Sequence, residues 1–212
     1  MGIIFDLDGT LLDTIDDIAQ VTNLALTKNG YPAHDKKKYS AMVGHGLKNL
    51  VSRVLPEKAG EREIEAVYTT LVSEYMKNPV QHSLPYPGIP ELLDELAQRK
   101  IPVAILSNKL NEITQQIAQI IFDKWKFSAV FGSRENIPKK PDPYSALEIC
   151  KIMNLEASDV FFVGDSETDM ATAHACGMHP VGVSWGYRSI AQITKAGAEI
   201  LLDTPMDMLK YL

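Results

Sequence analysis

The sequence predicts an α/β fold, a doubly wound parallel sheet interrupted once by a block of helices. Three observations carry that expectation. Five short apolar runs rich in β-branched residues, at 3–5, 103–106, 129–131, 160–163 and 181–183, lack polar alternation and read as strands buried on both faces. Helical patterns separate the later runs, and strand–helix alternation builds a parallel sheet wrapped by helices, a Rossmann-like layout. Between residues 14 and 84 the alternation stops, and only helical patterns remain.

Taken in order, the first run, Ile3-Ile4-Phe5, leads straight into Asp6-Leu7-Asp8-Gly9-Thr10. Asp13 then precedes a helical stripe of Ile15, Ile18, Ala19, Thr22, Ala25 and Leu26, and is expected to be its N-cap; Asn29-Gly30 closes the stripe. A second stripe holds Leu47, Leu50, Val51, Val54 and Leu55, and a third starts with Ile64, Val67 and Leu71. Pro79 and the run Leu84-Pro85-Tyr86-Pro87-Gly88 mark the return to the sheet. Further helices follow Pro90 (Leu92, Leu93, Leu96, Ala97), occupy 113–121, follow Pro143 over 144–153, and end at Gly177 after 170–176. The domain expectation is an α/β core of residues 1–13 and 85–212 and a helical insertion of residues 14–84, with hinges near Asp13–Thr14 and Tyr86–Gly88.

Charge and composition narrow the function. A formal charge of -6 disfavours nucleic acid and anionic membrane as partners, since both need basic surface. No apolar run approaches the roughly 18 residues of a membrane span, and the first run is too short for a signal peptide. Cys150 and Cys176 make no disulfide framework and read as reduced thiols of a cytoplasmic protein. Oligomeric state is left open.

In open parallel sheets, ligands bind at the carboxyl ends of the strands. After Phe5 come Asp6 and Asp8; after Leu106 come Ser107, Asn108 and Lys109; after Phe131 the loop carries Lys139-Lys140-Pro141; after Val163 comes Gly164-Asp165-Ser166-Glu167-Thr168-Asp169. The fold would gather these on one edge. Asp6, Asp8 and Asp165 supply oxygen ligands for Mg²⁺, a hard cation that leaves room for water and phosphate. Lys140, Ser107 and Asn108 would hold a dianionic phosphate. Asp6 could attack phosphorus and form an aspartyl-phosphate, and Asp8, two residues on and facing the same way, could manage the proton. Gly9 permits a sharp turn beside the ligand.

These four segments, in this order and across nearly the whole chain, resemble the motifs of the haloacid dehalogenase (HAD) superfamily of phosphohydrolases. The helical insertion resembles that family's type-one cap. The resemblance implies Asp6 as nucleophile, Asp8 as acid/base that binds metal through its backbone carbonyl, Asp165 as a Mg²⁺ ligand, and Asp169 as support for the metal site from behind it. Gly44-His45-Gly46 with Leu50, Ser107-Asn108-Lys109 and Trp185-Gly186-Tyr187 look most like phosphoglycolate phosphatases and their neighbours. One departure is Ser145, where many relatives carry a further proline; it leaves Lys140 untouched. The expected function is Mg²⁺-dependent hydrolysis of a small phosphorylated metabolite, with 2-phosphoglycolate the first candidate. A phosphosugar mutase or pyrophosphatase on the same core is the alternative. A receiver-type phosphate-accepting domain is the non-enzymatic one, disfavoured because receivers place the acceptor after a later strand.

Several residues also have plainer readings. Asp6 and Asp8 alone could be turn residues. Lys109, Lys139 and Lys36-Lys37-Lys38 read as solvated surface, with Lys109 close enough to the site to stay open. His45, Lys48 and Arg53 read equally as helix surface or as groups reaching a substrate. Gly182-Val183-Ser184-Trp185-Gly186 matches a serine-hydrolase elbow, but the last histidine, His179, precedes Ser184, so the triad order fails.

Overall fold

The computed structural model describes residues 1–212. Six parallel strands form the main sheet in the order β5-β4-β1-β6-β7-β8: β1 (Gly2–Phe5), β4 (Val103–Leu110), β5 (Val130–Ser133), β6 (Val160–Gly164), β7 (His179–Val183) and β8 (Ile200–Leu202). Chain connections run outward from β1 to β4 and β5 on one side and to β6, β7 and β8 on the other. The gap between β1 and β6 is therefore the topological switch point, where such sheets bind ligands.

Strand β1 shows why these residues make a central strand. All four are buried, and their side chains alternate between the two faces. Ile3 and Phe5 join the larger core, and Ile4 joins a smaller one with Ala104, Phe162 and residues of α6 (Tyr144–Met153) and α7 (Glu167–Cys176). α6 ends where expected, and Gly177 terminates α7 in the left-handed region. Helices α4 (Ile89–Gln98) and α5 (Asn111–Ile121) also match their stripes.

Residues 14–84 carry α1 (Ile15–Lys28), a 3₁₀ turn (Lys36–Ala41), α2 (Leu47–Val54) and α3 (Glu61–Lys77). Their buried faces follow the stripes: Ile18, Ala25 and Leu26 from α1, Leu50 and Val51 from α2, Val67 and Leu71 from α3. These residues belong to the same continuous apolar cluster as Phe5 and Leu7. The helical segment is thus packed onto the sheet edge.

Four features differ from the sequence reading. A second sheet pairs β2 (Leu12–Asp13) antiparallel with β3 (Leu84–Pro85), stitching together the two chain crossings between helical segment and sheet. β4 continues to Leu110 instead of stopping at 106, with a shift of register against β5 between Leu106 and Leu110. β8 and a short α8 (Ile190–Lys195) extend the fold beyond the last recognised strand. Thr14, not Asp13, is the N-cap of α1: the Thr14 hydroxyl is engaged by Asp8, and Asp13 accepts two long bonds, from the Ile15 amide at 3.3 Å and the Tyr187 hydroxyl at 3.4 Å.

Candidate active site

β1 delivers Asp6 to the switch point, where its backbone N–H donates to the Val163 carbonyl of β6 at 2.9 Å. β6 delivers Asp165 to the same place. Gly9 keeps them close: its φ is +84°, and a side chain there would run into the Asp165 carboxylate. Gly186, in the loop after β7, is equally constrained by Asp165 on one side and the Gly9 carbonyl on the other.

Asp6, Asp165 and Asp169 form a buried cluster whose carboxylate oxygens lie within 4.8 Å of one another. Lys140 sits among them. Its Nζ is 2.9 Å from Asp6 Oδ1 and 2.6 Å from Asp169 Oδ1. The other Asp169 oxygen accepts from the backbone N–H and hydroxyl of Ser166, at 3.0 and 2.6 Å. Asp169 is thereby locked at the start of α7 and holds Lys140 in turn.

Charge in this cluster is not balanced. Burial, opposed by Lys140 but reinforced by Asp169 and Asp8, pushes the Asp6 carboxyl up to about 7. Burial pushes Asp165 well above the usual carboxylate range, with Asp169 and Asp6 adding to it against the Tyr187 N–H and Arg188. Burial works against the Lys140 charge, yet Asp169 and Asp6 hold its pKa above the ordinary lysine value. One ammonium among three carboxylates leaves an excess of negative oxygen. An all-oxygen donor set with such an excess fits a hard divalent cation such as Mg²⁺.

Asp8 lies apart from that cluster. Its Oδ1 accepts from the Thr14 hydroxyl at 2.7 Å and from Lys109 Nζ at 2.6 Å. Lys109 is buried, its side chain 1% exposed, so its expected place on the solvated surface is wrong. The ion pair with Asp8 and the Tyr75 ring, 5.1 Å from Nζ, replace its water. Burial opposes its charge, but Asp8 and Tyr75 raise its pKa. The sequence places Lys109 just after an apolar run but carries no signature of its burial.

Asp6, Asp8, Ser107, Asn108, Lys140 and Asp165 all line one cavity with about 40 Å³ of water-accessible space. Asp169 lies just behind it. Asn108 commits both side-chain N–H groups, to the Gly44 and Lys140 carbonyls at 3.1 Å each. From the helical segment, Ile18, Val43, Gly44, Gly46, Leu47 and Leu50 close the roof. His45, Lys48 and Arg53 are not among the lining residues: all three are exposed, and Lys48 pairs with Glu65 at 2.9 Å. The Ser184 hydroxyl donates only to the Asp203 carbonyl, at 3.4 Å, with no histidine partner, so the elbow motif is a chance match.

Comparison with known proteins identifies the family. Residues 3–183 match the family model described as haloacid dehalogenase-like hydrolase. A phosphoglycolate phosphatase from Aquifex aeolicus (strain VF5) is 30% identical over 210 residues, 99% of this chain and 95% of that protein. The solved structure of a predicted phosphoglycolate phosphatase from Haemophilus somnus superposes with a TM-score of 0.91 at 28% identity, covering 99% of this chain and 96% of the other. One from Lactobacillus delbrueckii subsp. bulgaricus superposes with a TM-score of 0.92 at 27% identity, covering 99% and 97%. With 181 of its residues inside the family model and whole-length similarity to these proteins, the chain belongs to the haloacid dehalogenase-like hydrolase family.

Proposed function

We propose that the protein is a Mg²⁺-dependent phosphatase that hydrolyses a small phosphomonoester through an aspartyl-phosphate (acyl phosphate) on Asp6, with 2-phosphoglycolate as the substrate to test first. The observation that supports this most is the division between the two aspartates of the first motif. Asp6 stands in the cation-seeking cluster beside Lys140, while Asp8 is held apart by Lys109 and Thr14. Names of the whole-length relatives support the same activity and the same substrate.

In this reading Asp6, Asp165 and the Asp8 backbone carbonyl hold Mg²⁺, which when bound neutralises charge on the phosphate oxygens. Lys140 and Ser107 orient the phosphate, with Asn108 bracing the strand end against Lys140. Asp6 attacks phosphorus; Asp8 gives a proton to the leaving oxygen and later takes one from the water that opens the aspartyl-phosphate. Asp169 positions Lys140 through the 2.6 Å ion pair. Residues 14–84 act as a cap. Water occupies roughly 10–15 Å³ of such space, so a 40 Å³ cavity admits a phosphate-sized group, and the cap must swing aside for substrate to enter.

The test is a panel of phosphorylated metabolites assayed with Mg²⁺ and with EDTA. The expected result is metal-dependent release of phosphate, with the highest kcat/KM on compact monoesters. Turnover of sugar phosphates by isomerisation without phosphate release would favour the mutase reading instead.

A further inference from the structure

The loop after β7 is bonded to the turn after β1, to Asp165 and to the helical segment. Trp185 Nε1 donates to the Thr10 carbonyl at 3.0 Å. The Tyr187 backbone N–H donates to Asp165 Oδ2 at 2.6 Å, and its hydroxyl accepts from the Thr14 N–H at 2.9 Å. Arg188, next in the chain, crosses to the helical segment: Nη1 donates to the Ser40 carbonyl at 2.6 Å and Nη2 to the Val43 carbonyl at 2.8 Å. Its side chain is only 10% exposed, and Nε lies 3.4 Å from the half-exposed Glu167.

We propose that Arg188 is a specificity-determining residue, a latch that holds the 40–46 segment shut over the cavity and so makes the enzyme selective for compact phosphomonoesters. Two charge-assisted hydrogen bonds to backbone carbonyls are strong and directional, and they exist only when the roof is down. Carbonyl acceptors also make the contact indifferent to the side chains at 40 and 43. Asn108 also grasps this segment, at the Gly44 carbonyl, but its second N–H braces the Lys140 carbonyl; both Nη bonds of Arg188 go to the segment itself. Apparent affinity for a substrate that needs the closed state falls in proportion to the population of that state. A substrate too large for the closed cavity is processed with the roof raised and gains nothing from the latch.

This rests on the phosphatase reading, and the experiment separates the two. Wild type and Arg188→Gln are compared on three substrates with Mg²⁺: 2-phosphoglycolate, its analogue without the carboxylate, 2-hydroxyethyl phosphate, and p-nitrophenyl phosphate. The latch predicts that both compact substrates lose about 10-fold or more in kcat/KM, mainly through KM, while p-nitrophenyl phosphate changes by less than about 3-fold. Amide exchange over 40–46 should quicken while the rest of the chain keeps its protection. Loss on 2-phosphoglycolate alone would show that Arg188 contacts the substrate carboxylate, and would overturn the latch. So would equal loss on all three substrates, or no loss on any. If wild type releases phosphate from none of them, the phosphatase reading fails instead. Arg188→Lys, able to reach one carbonyl at most, should fall between the two proteins.

Discussion

Two buried carboxylate sites in this protein are built on opposite principles. At the switch point, Asp6 and Asp165 are buried with too few donors, and both are pushed toward protonation. In α1, Asp17 is 4% exposed and accepts four hydrogen bonds from the returning chain, from the Gln81, His82 and Ser83 backbone N–H groups and the Ser83 hydroxyl, at 2.5–3.1 Å. Burial opposes its charge too, but these donors, the Ser83 hydroxyl foremost, hold its pKa below the usual value. The difference separates an acid kept for a ligand from one that finishes the fold. Asp17 ties the start of the helical segment to its end, next to the β2–β3 pair, and its charge is spent there.

The largest expected effects test the first site. Asp6→Asn keeps the size but removes the nucleophile, and should lower kcat by at least about 10⁴-fold with no phospho-enzyme detected after acid quench. The same change should raise the metal-free melting temperature, since it takes a strained carboxylate out of a low-dielectric site. Asp17→Ala should do the reverse. Leaving three backbone N–H groups and a hydroxyl without their acceptor should cost roughly 3 kcal/mol of stability, with kcat of the folded enzyme nearly unchanged. Urea melts paired with saturating-substrate assays check both, and a swap of the two phenotypes would break the contrast.

Lys109 falls between these extremes, because it is paired like Asp17 but with a proposed acid/base. Lys109→Met should lower kcat by about 30-fold on an alkyl phosphate. The loss on p-nitrophenyl phosphate should be much smaller, as its leaving group needs no proton. A loss of stability with kcat unchanged on both substrates would mean that Lys109 serves the fold only, whereas a uniform loss of kcat would place its effect on the water step that both substrates share.

These contrasts also mark what the sequence could and could not disclose. Strand ends were readable because Ile3–Phe5 and Val160–Val163 are continuous apolar runs, and the topology then puts Asp6 beside Asp165. The same rule applied to the run at 181–183 points to Ser184–Arg188, so Tyr187 and Arg188 were within reach. β2 and β3 were not, since two residues show no periodicity. The burial of Lys109 was invisible because a lysine beside a strand end is normally solvated, and only the fold supplies Asp8 and Tyr75. Asp17 was hidden for a related reason: its partners lie more than sixty residues away, and three of the four are backbone N–H groups that carry no side-chain signature. Long-range polar satisfaction is legible only once the chain is folded.

The smallest expected effect follows from the sign of the two shifts. Asp6 rises from an ordinary 3.8 to about 7, so the metal-free protein should lose stability as pH climbs through that interval. Asp17 is depressed, so the stability it contributes is present above the ordinary carboxylate value and is lost as pH falls below it. The two sites therefore pull in opposite directions, and only the first answers to metal. A cation bound between Asp6 and Asp165 competes with their protons, so Mg²⁺ should stabilise the protein more at pH 7.5 than at pH 5. The difference should be on the order of 1 kcal/mol, or about 2–4 °C in Tm for a chain of this size. Asp6→Asn should abolish most of that pH-dependent gain, because the proton that Mg²⁺ displaces is gone. Asp17→Ala should leave it intact. A Mg²⁺ shift equal at both pH values would mean that the ion binds elsewhere, and that the strain at the switch point is not its reservation for a cation.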